Sequence, residues 1–188
     1  PEALAQGEAD AVVVATGARP LEEQVPGARA GQVVSAWDVL QGCPSAKDLA
    51  VVVLGGRQMA CETAEFLAER GNRVTLVSRS PAVDLAGDVV ATYRAPLLAR
   101  LRRLGVALRT RCDVREIRNA QAVVIEEGGG EETVGADLVV LARGSVPEPT
   151  ALELLRTMVP EVYAVGDCVE PRAIAEALYE GALAGSRI

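Results

Sequence analysis

The chain has 188 residues, of which 49% are apolar and 24% charged, and its formal net charge at pH 7 is −7. This balance is typical of a folded globular protein and excludes an intrinsically disordered chain. The acidic charge disfavours nucleic acid as a partner, because binding phosphates needs a basic surface. The chain contains no histidine, which excludes a histidine-based triad or general base within these residues.

The cysteines lie far apart and lack the short spacing of a zinc or iron–sulfur ligand set. They are Cys43, Cys61, Cys112 and Cys168. Reduced, mostly buried thiols in a cytoplasmic chain are the simplest interpretation. No apolar run reaches the roughly 18 residues that span a bilayer, and no signal peptide is visible, so we expect no membrane partner. Because the chain opens with Pro1 and not with methionine, we expect that an upstream portion is missing.

The first predicted element is a buried strand in DAVVVATGARP, residues 10–20, which runs into a tight turn at Thr16-Gly17. Residues 21–46 are rich in glycine, proline and polar side chains, which is typical of a crossing between two domains. Within this crossing we predict one short helix at 36–40. A second domain is then expected to begin near residue 47.

That second domain opens with the pattern of a nucleotide-binding fold. LAVVVLGG at 49–56 predicts a strand that ends in glycines, and the helical spacing of apolar residues predicts a helix at 58–71 that stops at Gly71. NRVTLVSRS at 72–80 predicts the next strand. Strand, glycine turn, helix and strand in this order predict one right-handed βαβ unit.

The rest of the chain continues to alternate between helices and strands. A helix is predicted at 89–104, where apolar residues recur at spacings of three and four. Further strands are predicted at 105–118, 122–129, 131–143 and 161–165, and a last helix at 172–188. The glycines at 128–130 predict a hairpin between two of these strands.

The glycine turn after the strand at 50–54 is the natural position for a dinucleotide phosphate. Glycines let the backbone approach a pyrophosphate, and the following helix directs free N–H groups at the anion. The G-x-G-x-x-G fingerprint needs glycines at 55, 57 and 60, whereas this chain has Gly55, Arg57 and Ala60, with Gly56 between the first two. Arg57 is a serious departure from the fingerprint, because its side chain occupies the space through which a pyrophosphate reaches the backbone of a glycine. We therefore expect Arg57→Gly to strengthen dinucleotide binding about tenfold, unless Arg57 itself pairs with a phosphate.

Two further side chains are candidates for contacts with a nicotinamide dinucleotide. The strand at 72–80 ends without the acid that accepts from the ribose 2′-hydroxyl of NAD. Arg79 instead favours the 2′-phosphate of NADP, although a plain surface arginine is equally compatible with the pattern. Glu62, in the first turn after the glycine loop, can face a nicotinamide or act as a partner of the helix dipole.

Gly166-Asp167 is the most specific site signal in the sequence. A strand that ends in Gly-Asp before a helix places a carboxylate and backbone N–H groups at the mouth of a parallel sheet, where such folds bind ligands. Asp167 can accept from a ribityl or ribose hydroxyl. Its alternative role is the N-terminal cap of the last helix, and the two roles are compatible.

Three segments in chain order resemble flavoproteins of the disulfide-reductase type. They are ATGARP at 15–20, VVVLGG…CETAEFLAERG at 51–71 and VYAVGDCVEPRAIAEAL at 162–178. The closing GDCVEPRAIAEA is similar to the carboxy-terminal domains of the Old Yellow Enzyme-related iron–sulfur flavoproteins. That family includes 2,4-dienoyl-CoA reductase, trimethylamine dehydrogenase and histamine dehydrogenase, and the resemblance covers essentially the whole chain.

The resemblance implies an α/β fold in which a Rossmann-like NAD(P)-type domain is inserted into an incomplete FAD-type dinucleotide-binding domain. The inserted domain is expected at 47–143. The partial FAD- or ADP-type domain is expected at 1–42 and 145–188. In the family an amino-terminal TIM barrel carries FMN and an iron–sulfur cluster, so we expect both groups only in a missing amino-terminal part.

The resemblance also implies where the cofactors bind. Thr16 and Gly17 are expected near FAD or ADP, and Gly166 with Asp167 at its ribityl chain or pyrophosphate. Because the upstream βαβ unit that holds the ADP half is absent, we expect the isolated chain to bind FAD poorly. NADP is a possible second cofactor. The expected partners are the missing barrel domain or subunit, an electron-transfer protein and a second copy of the chain.

The sequence is compatible with three functional interpretations. The first is a segment of a flavin-dependent oxidoreductase, inactive alone, in which an amine-dehydrogenase-like activity is favoured over an NADPH-dependent enoyl reductase by the degenerate loop at Arg57. The second is a nucleotide domain that has lost its ligand and serves as a non-catalytic scaffold or docking module. The third, an unrelated Rossmann enzyme such as a methyltransferase, is disfavoured because a Gly-Asp strand returns after a complete inserted domain.

Overall fold

The structure is a computed structural model that describes residues 9–42 and 44–188. The chain forms two compact units. The smaller unit joins the chain up to Pro20 with Gly144–Ile188, and the larger unit is Leu21–Arg143. Helices accompany strands in both, and the larger unit carries a parallel sheet, so the predicted α/β class is confirmed. None of the described helices is long and apolar enough to cross a lipid bilayer.

The elements agree with most of the predicted helices and strands. The strands are β1 (Ala11–Val14), β2 (Ala18–Pro20), β3 (Val33–Ser35), β4 (Ala50–Leu54), β5 (Arg73–Ser78), β6 (Ala107–Thr110), β7 (Cys112–Arg118), β8 (Gln121–Glu126), β9 (Glu131–Gly135), β10 (Leu138–Leu141), β11 (Ser145–Pro147) and β12 (Glu161–Ala164). The helices in the described residues are α1 (Ala36–Leu40), α2 (Gln58–Glu69), α3 (Ala91–Arg103), α4 (Thr150–Leu155) and α5 (Ile174–Gly185). Of these, α4, β2, β3 and β11 are too short to produce a clear periodicity and were not predicted.

A five-stranded parallel sheet with the order β3-β10-β4-β5-β6 organises the larger unit. The central strand β4 is a run of valines and one leucine, and Val51, Val52, Val53 and Leu54 are each at most 1% exposed. Such a run is typical of a parallel strand covered on both faces. The helix α2 buries Ala60, Thr63, Ala64 and Leu67, which lie on one face. The predicted βαβ unit of β4, α2 and β5 is therefore confirmed.

Two of the predicted strands are each divided in two. The segment 105–118 breaks at Arg111, which has a left-handed φ of 55°; β6 stays in the parallel sheet while β7 joins a separate antiparallel sheet, β7-β8-β9. The segment 131–143 breaks between β9 and β10, where Asp137 Oδ2 accepts from the Ala50 N–H at 2.8 Å. The hairpin predicted at 128–130 is confirmed by the antiparallel pairing of β8 with β9.

The smaller unit is built around two parallel strands, β1 and β12, whose register pairs Ala11 with Glu161 and Val14 with Ala164. The prediction that these strands are neighbours outside the larger unit's sheet is confirmed. An antiparallel pair, β2 with β11, lies in the same unit. Its core is a cluster of buried side chains from both parts of the chain: Val12, Val14, Leu152, Leu155, Val159 and Cys168.

The boundary between the units differs from the one expected from the sequence. Residues 21–42, assigned to the FAD-type domain together with 1–20, belong to the larger unit. The reason is β3, which pairs with β10 as the outermost strand of the parallel sheet. The second boundary, at Gly144, lies within one residue of the expected 145. The assignment of the two units to FAD and NAD(P) stays a prediction.

Candidate functional site

The glycine loop of the larger unit lies between β4 and α2. Gly55 has a φ of +148° and donates its N–H to the Val77 carbonyl at 2.9 Å. A Cβ at Gly55 would lie 2.9 Å from the Ala142 carbonyl carbon and closer still to its oxygen. A Cβ at Gly56 would lie 3.1 Å from the Cβ of Ser78. Backbone packing therefore requires glycine at position 55, and a side chain at position 56 would have to displace Ser78, whether or not a nucleotide binds.

The amino-terminal end of α2 is capped by a carboxylate from elsewhere in the chain. Arg57 is the N-cap residue, and its own side chain makes no capping hydrogen bond. Instead the Gln58 N–H donates to Asp88 Oδ1 at 2.8 Å, and Arg57 Nε lies 3.4 Å from Asp88 Oδ2. The Arg57 side chain is 78% exposed and that of Asp88 24%. A carboxylate of the protein thus lies at the helix end where the sequence predicts a phosphate.

Glu62 is held by neighbours on two helices. Its Oε1 accepts from Gln58 Nε2 at 2.8 Å and from the Tyr93 hydroxyl at 2.6 Å. This hydrogen bond to Glu62 raises the pKa of Tyr93 above its ordinary value. Glu62 therefore joins α2 to α3, and its position facing a nicotinamide stays a prediction.

Arg79 is not a lone surface cation. Its Nε lies 2.7 Å from Asp113 Oδ2 and its Nη2 3.4 Å from Glu23 Oε1. Arg143 contacts the same two acids, with Nη1 2.6 Å from Glu23 Oε1 and Nη2 on Asp113. Burial opposes the ionisation of Asp113, but the hydrogen bonds from the two arginines outweigh it and lower the pKa of that carboxyl. A phosphate that binds Arg79 would compete with two carboxylates.

A cavity of about 340 Å³ lies beside this charge network. It is lined by Arg79, Arg111, Cys112, Asp113, Ile125, Glu126 and Glu127. Asp113 and Glu23 were not predicted from the sequence, because they lie 34 and 56 residues from Arg79 and only the fold brings them together.

In the smaller unit, the two predicted turns line one cavity. Gly17 and Gly166 both have left-handed φ angles, +76° and +70°. Together with Asp167 they border a cavity of about 300 Å³. Thr16 lies next to it and donates its hydroxyl to the Glu148 carbonyl at 3.1 Å, which ties the first turn to the end of β11. The structure therefore brings together the four residues predicted at 16–17 and 166–167.

The Gly166-Asp167 turn is fixed by a glutamate and an arginine that sequence reasoning missed. The Gly166 N–H donates to Glu180 Oε2 at 2.7 Å, and Arg172 Nη2 pairs with Glu180 Oε1. The Gly166 N–H first, and then Arg172, lower the pKa of Glu180. Asp167 Oδ1 accepts from the Arg172 N–H at 3.1 Å.

The alternative role of Asp167 as the cap of the last helix is wrong. The helix α5 starts at Ile174, and its N-cap residue is Ala173. The Ala173 N–H donates to Glu176 Oε2 at 3.2 Å, so the first turn of the helix supplies its own acceptor. Asp167 instead lines the cavity of the smaller unit.

Three cysteines are buried and free, as predicted: Cys61, Cys112 and Cys168. Burial, assisted by the nearby charge of Asp88, raises the pKa of the Cys61 thiol to about 11. A thiol with so high a pKa is a poor nucleophile at neutral pH. Cys43 lies outside the described residues.

Comparison with known sequences connects this geometry to flavoproteins. The model of a family described as pyridine nucleotide-disulphide oxidoreductase matches residues 3–181. The chain is 34% identical over 186 residues to an NADH oxidase of Thermoanaerobacter brockii, covering 96% of this chain and 28% of the relative. It is 35% identical over 180 residues to a bilirubin reductase of Mediterraneibacter gnavus, covering 94% of this chain and 27% of the relative. The chain thus spans less than a third of these relatives.

Two solved structures also match nearly the whole of this chain with less than a third of their own length. A 2-naphthoyl-CoA reductase in complex with 2-naphthoyl-CoA superposes with a TM-score of 0.85 at 29% identity, over 95% of this chain and 27% of that one. Histamine dehydrogenase from Rhizobium sp. 4-9 gives a TM-score of 0.82 at 22% identity, over 95% of this chain and 30% of that one, which shows a shared fold.

Proposed function

Because this chain belongs to the pyridine nucleotide-disulphide oxidoreductase family, we propose that it is the carboxy-terminal dinucleotide-binding segment of a flavin-dependent oxidoreductase. The family binds FAD and nicotinamide dinucleotides, and relatives named as oxidoreductases match nearly the whole chain. We place the substrate-binding barrel, with FMN and an iron–sulfur cluster, in another part of the protein or in a partner subunit. The small share of each relative that the chain covers supports this division.

The observation that carries the proposal is the cavity of the smaller unit between Gly17 and Gly166-Asp167. The left-handed glycines expose backbone at its edge, and Asp167 adds a carboxylate that can accept from a ribityl or ribose hydroxyl. Glu180 and Arg172 fix the turn that presents this carboxylate. When bound, the flavin supplies the redox chemistry, while these residues bind and orient it.

Within this function we favour electron transfer to a protein acceptor, as in an amine dehydrogenase, over reduction by NADPH. The support is the larger unit's loop, where Arg57 replaces glycine and Asp88 occupies the helix end. Arg79, the candidate for a 2′-phosphate, is already paired with Asp113 and Glu23. A second candidate function, a docking module that has lost its nicotinamide cofactor, is favoured by the same observation.

The complete reading frame tests the proposal. The coding sequence upstream of Pro1 should encode a barrel with clustered cysteines, and the purified full-length protein should be yellow and release both FMN and FAD on denaturation. Asp167→Ala should lose FAD and keep FMN. A matched control, Glu153→Ala, removes an exposed acid of the smaller unit and should keep both flavins. A reading frame that begins within a few codons of Pro1, or an Asp167→Ala protein with full FAD, would contradict the proposal.

A further inference from the structure

The carboxylate at the start of α2 occupies the position of an anion. The Gln58 N–H is among the helix N–H groups without an intrahelical acceptor, and it donates to Asp88 Oδ1 at 2.8 Å. In dinucleotide folds such N–H groups, at the positive end of the helix dipole, face the pyrophosphate. Arg57 Nε lies 3.4 Å from the second oxygen of the same carboxylate. The Asp88 carboxylate therefore accepts from the backbone N–H and pairs with the side-chain cation that a bound phosphate would contact.

The turn that carries Asp88 is anchored to the loop itself. The Ala86 N–H donates to the Gly56 carbonyl at 2.7 Å. Leu85 and Ala86 are 1% and 0% exposed and belong to the core of the larger unit. Arg94 Nε donates to the Leu85 carbonyl at 2.6 Å. Because backbone hydrogen bonds and buried side chains hold the turn, Asp88 is a fixed component of the loop.

We infer that Asp88 is a built-in substitute for the pyrophosphate, so that its negative charge, more than the bulk of Arg57, keeps nicotinamide dinucleotides from the larger unit. This inference rests on the proposed dinucleotide-binding role of the fold. The Arg57 side chain is 78% exposed, which leaves it free to move aside. A pyrophosphate at the same helix end would have to displace Asp88 or tolerate a carboxylate beside it. Repulsion between the Asp88 carboxylate and a pyrophosphate at the same helix end would persist wherever the Arg57 side chain moves.

Asp88→Asn tests the inference because asparagine keeps an oxygen that can accept from the Gln58 N–H. Titration calorimetry is performed with inorganic pyrophosphate, NADH and NADPH as separate ligands. We expect Asp88→Asn to bind all three at least tenfold more tightly (about 1.4 kcal/mol) than the unmodified chain. The matched control is Asp84→Asn, which removes the same charge from an exposed position of the same turn and should change affinity less than twofold. High salt should reduce the gain.

A second measurement uses the unmodified protein and needs no variant to fold. In ¹⁵N-labelled chain, the Gln58 amide resonance should not move on titration with pyrophosphate to millimolar concentration. A shift of that resonance at micromolar pyrophosphate would overturn the inference, since the position would then be open. It would also be overturned if a folded Asp88→Asn protein bound the three ligands no better than the unmodified chain. FAD retention is measured separately on the full-length protein, so loss of FAD there, with the expected pyrophosphate results here, would identify a failure of the proposed function alone.

Discussion

Replacing Gly55 with alanine should destabilise the larger unit much more than an ordinary glycine substitution. The new Cβ would lie 2.9 Å from the Ala142 carbonyl carbon, and real Cβ atoms essentially never come this close. The obstacle is backbone at the end of β10, which pairs with β4 and cannot move without breaking the sheet. Positive φ costs a non-glycine residue about 1–2 kcal/mol, and overpacking adds about 1–3 kcal/mol. We therefore expect a loss of roughly 2–5 kcal/mol in the free energy of unfolding.

The matched control is Gly105→Ala, because Gly105 also has positive φ, +74°, but its added Cβ meets nothing within 4 Å. This control should lose only the backbone cost of about 1–2 kcal/mol. The assay is urea unfolding followed by the fluorescence of Trp37, the one tryptophan of the chain. Trp37 lies in α1 of the larger unit, so its signal reports the unit that holds both glycines. Equal losses for the two variants would refute the steric argument.

Two further predictions concern side chains of the larger unit. Arg57→Gly alone should raise dinucleotide affinity less than Asp88→Asn does, because the exposed arginine lies against Asp88; calorimetry that finds equal gains would identify Arg57 as the obstruction. Asp113→Asn should lower the free energy of unfolding by about 1–3 kcal/mol at pH 7, since it removes one of the two carboxylates that pair with the largely buried Arg143 and leaves only Glu23. The pKa of Asp113 is lowered in the folded state, so this contribution is present above the unfolded value of about 3.9 and is lost as pH falls below it. Urea unfolding followed by Trp37 fluorescence from pH 7 to pH 3 should show a shrinking difference in the free energy of unfolding between the unmodified chain and Asp113→Asn. A difference that stays constant would contradict the stabilising role of the ionised Asp113.

The parts of the fold that follow from local patterns could be predicted from the sequence. The valine run of β4 and the helical spacing of apolar residues in α2 predicted the βαβ unit, because hydrophobic periodicity is a short-range signal. The start of the larger unit at Leu21 was not predicted. There β3 decides the boundary, and a three-residue strand leaves too short a pattern to be recognised before its partner is known.

In the candidate sites, too, local motifs could be predicted from the sequence and contacts between distant residues could not. Gly17, Gly166 and Asp167 were predicted together because each turn carries its own motif. Asp88, 30 residues from Gln58, was missed, since no local pattern links a carboxylate to a helix end that far away. The glycines of the loop were also ambiguous: Gly55 is required by its contact with Ala142, so its presence indicates the strand packing and does not by itself indicate a nucleotide.

The antiparallel pair of β2 and β11 places Pro20 directly opposite Ser145. The chain therefore leaves the smaller unit before the 123-residue segment Leu21–Arg143 and re-enters it afterwards at adjacent points of one antiparallel strand pair. A short turn between these two points would close the smaller unit without the larger one, and any compact unit whose own ends lie close together could be exchanged at the same place. The larger unit can thus be exchanged as a whole, in evolution or by design, while the strands β1 and β12 keep their register.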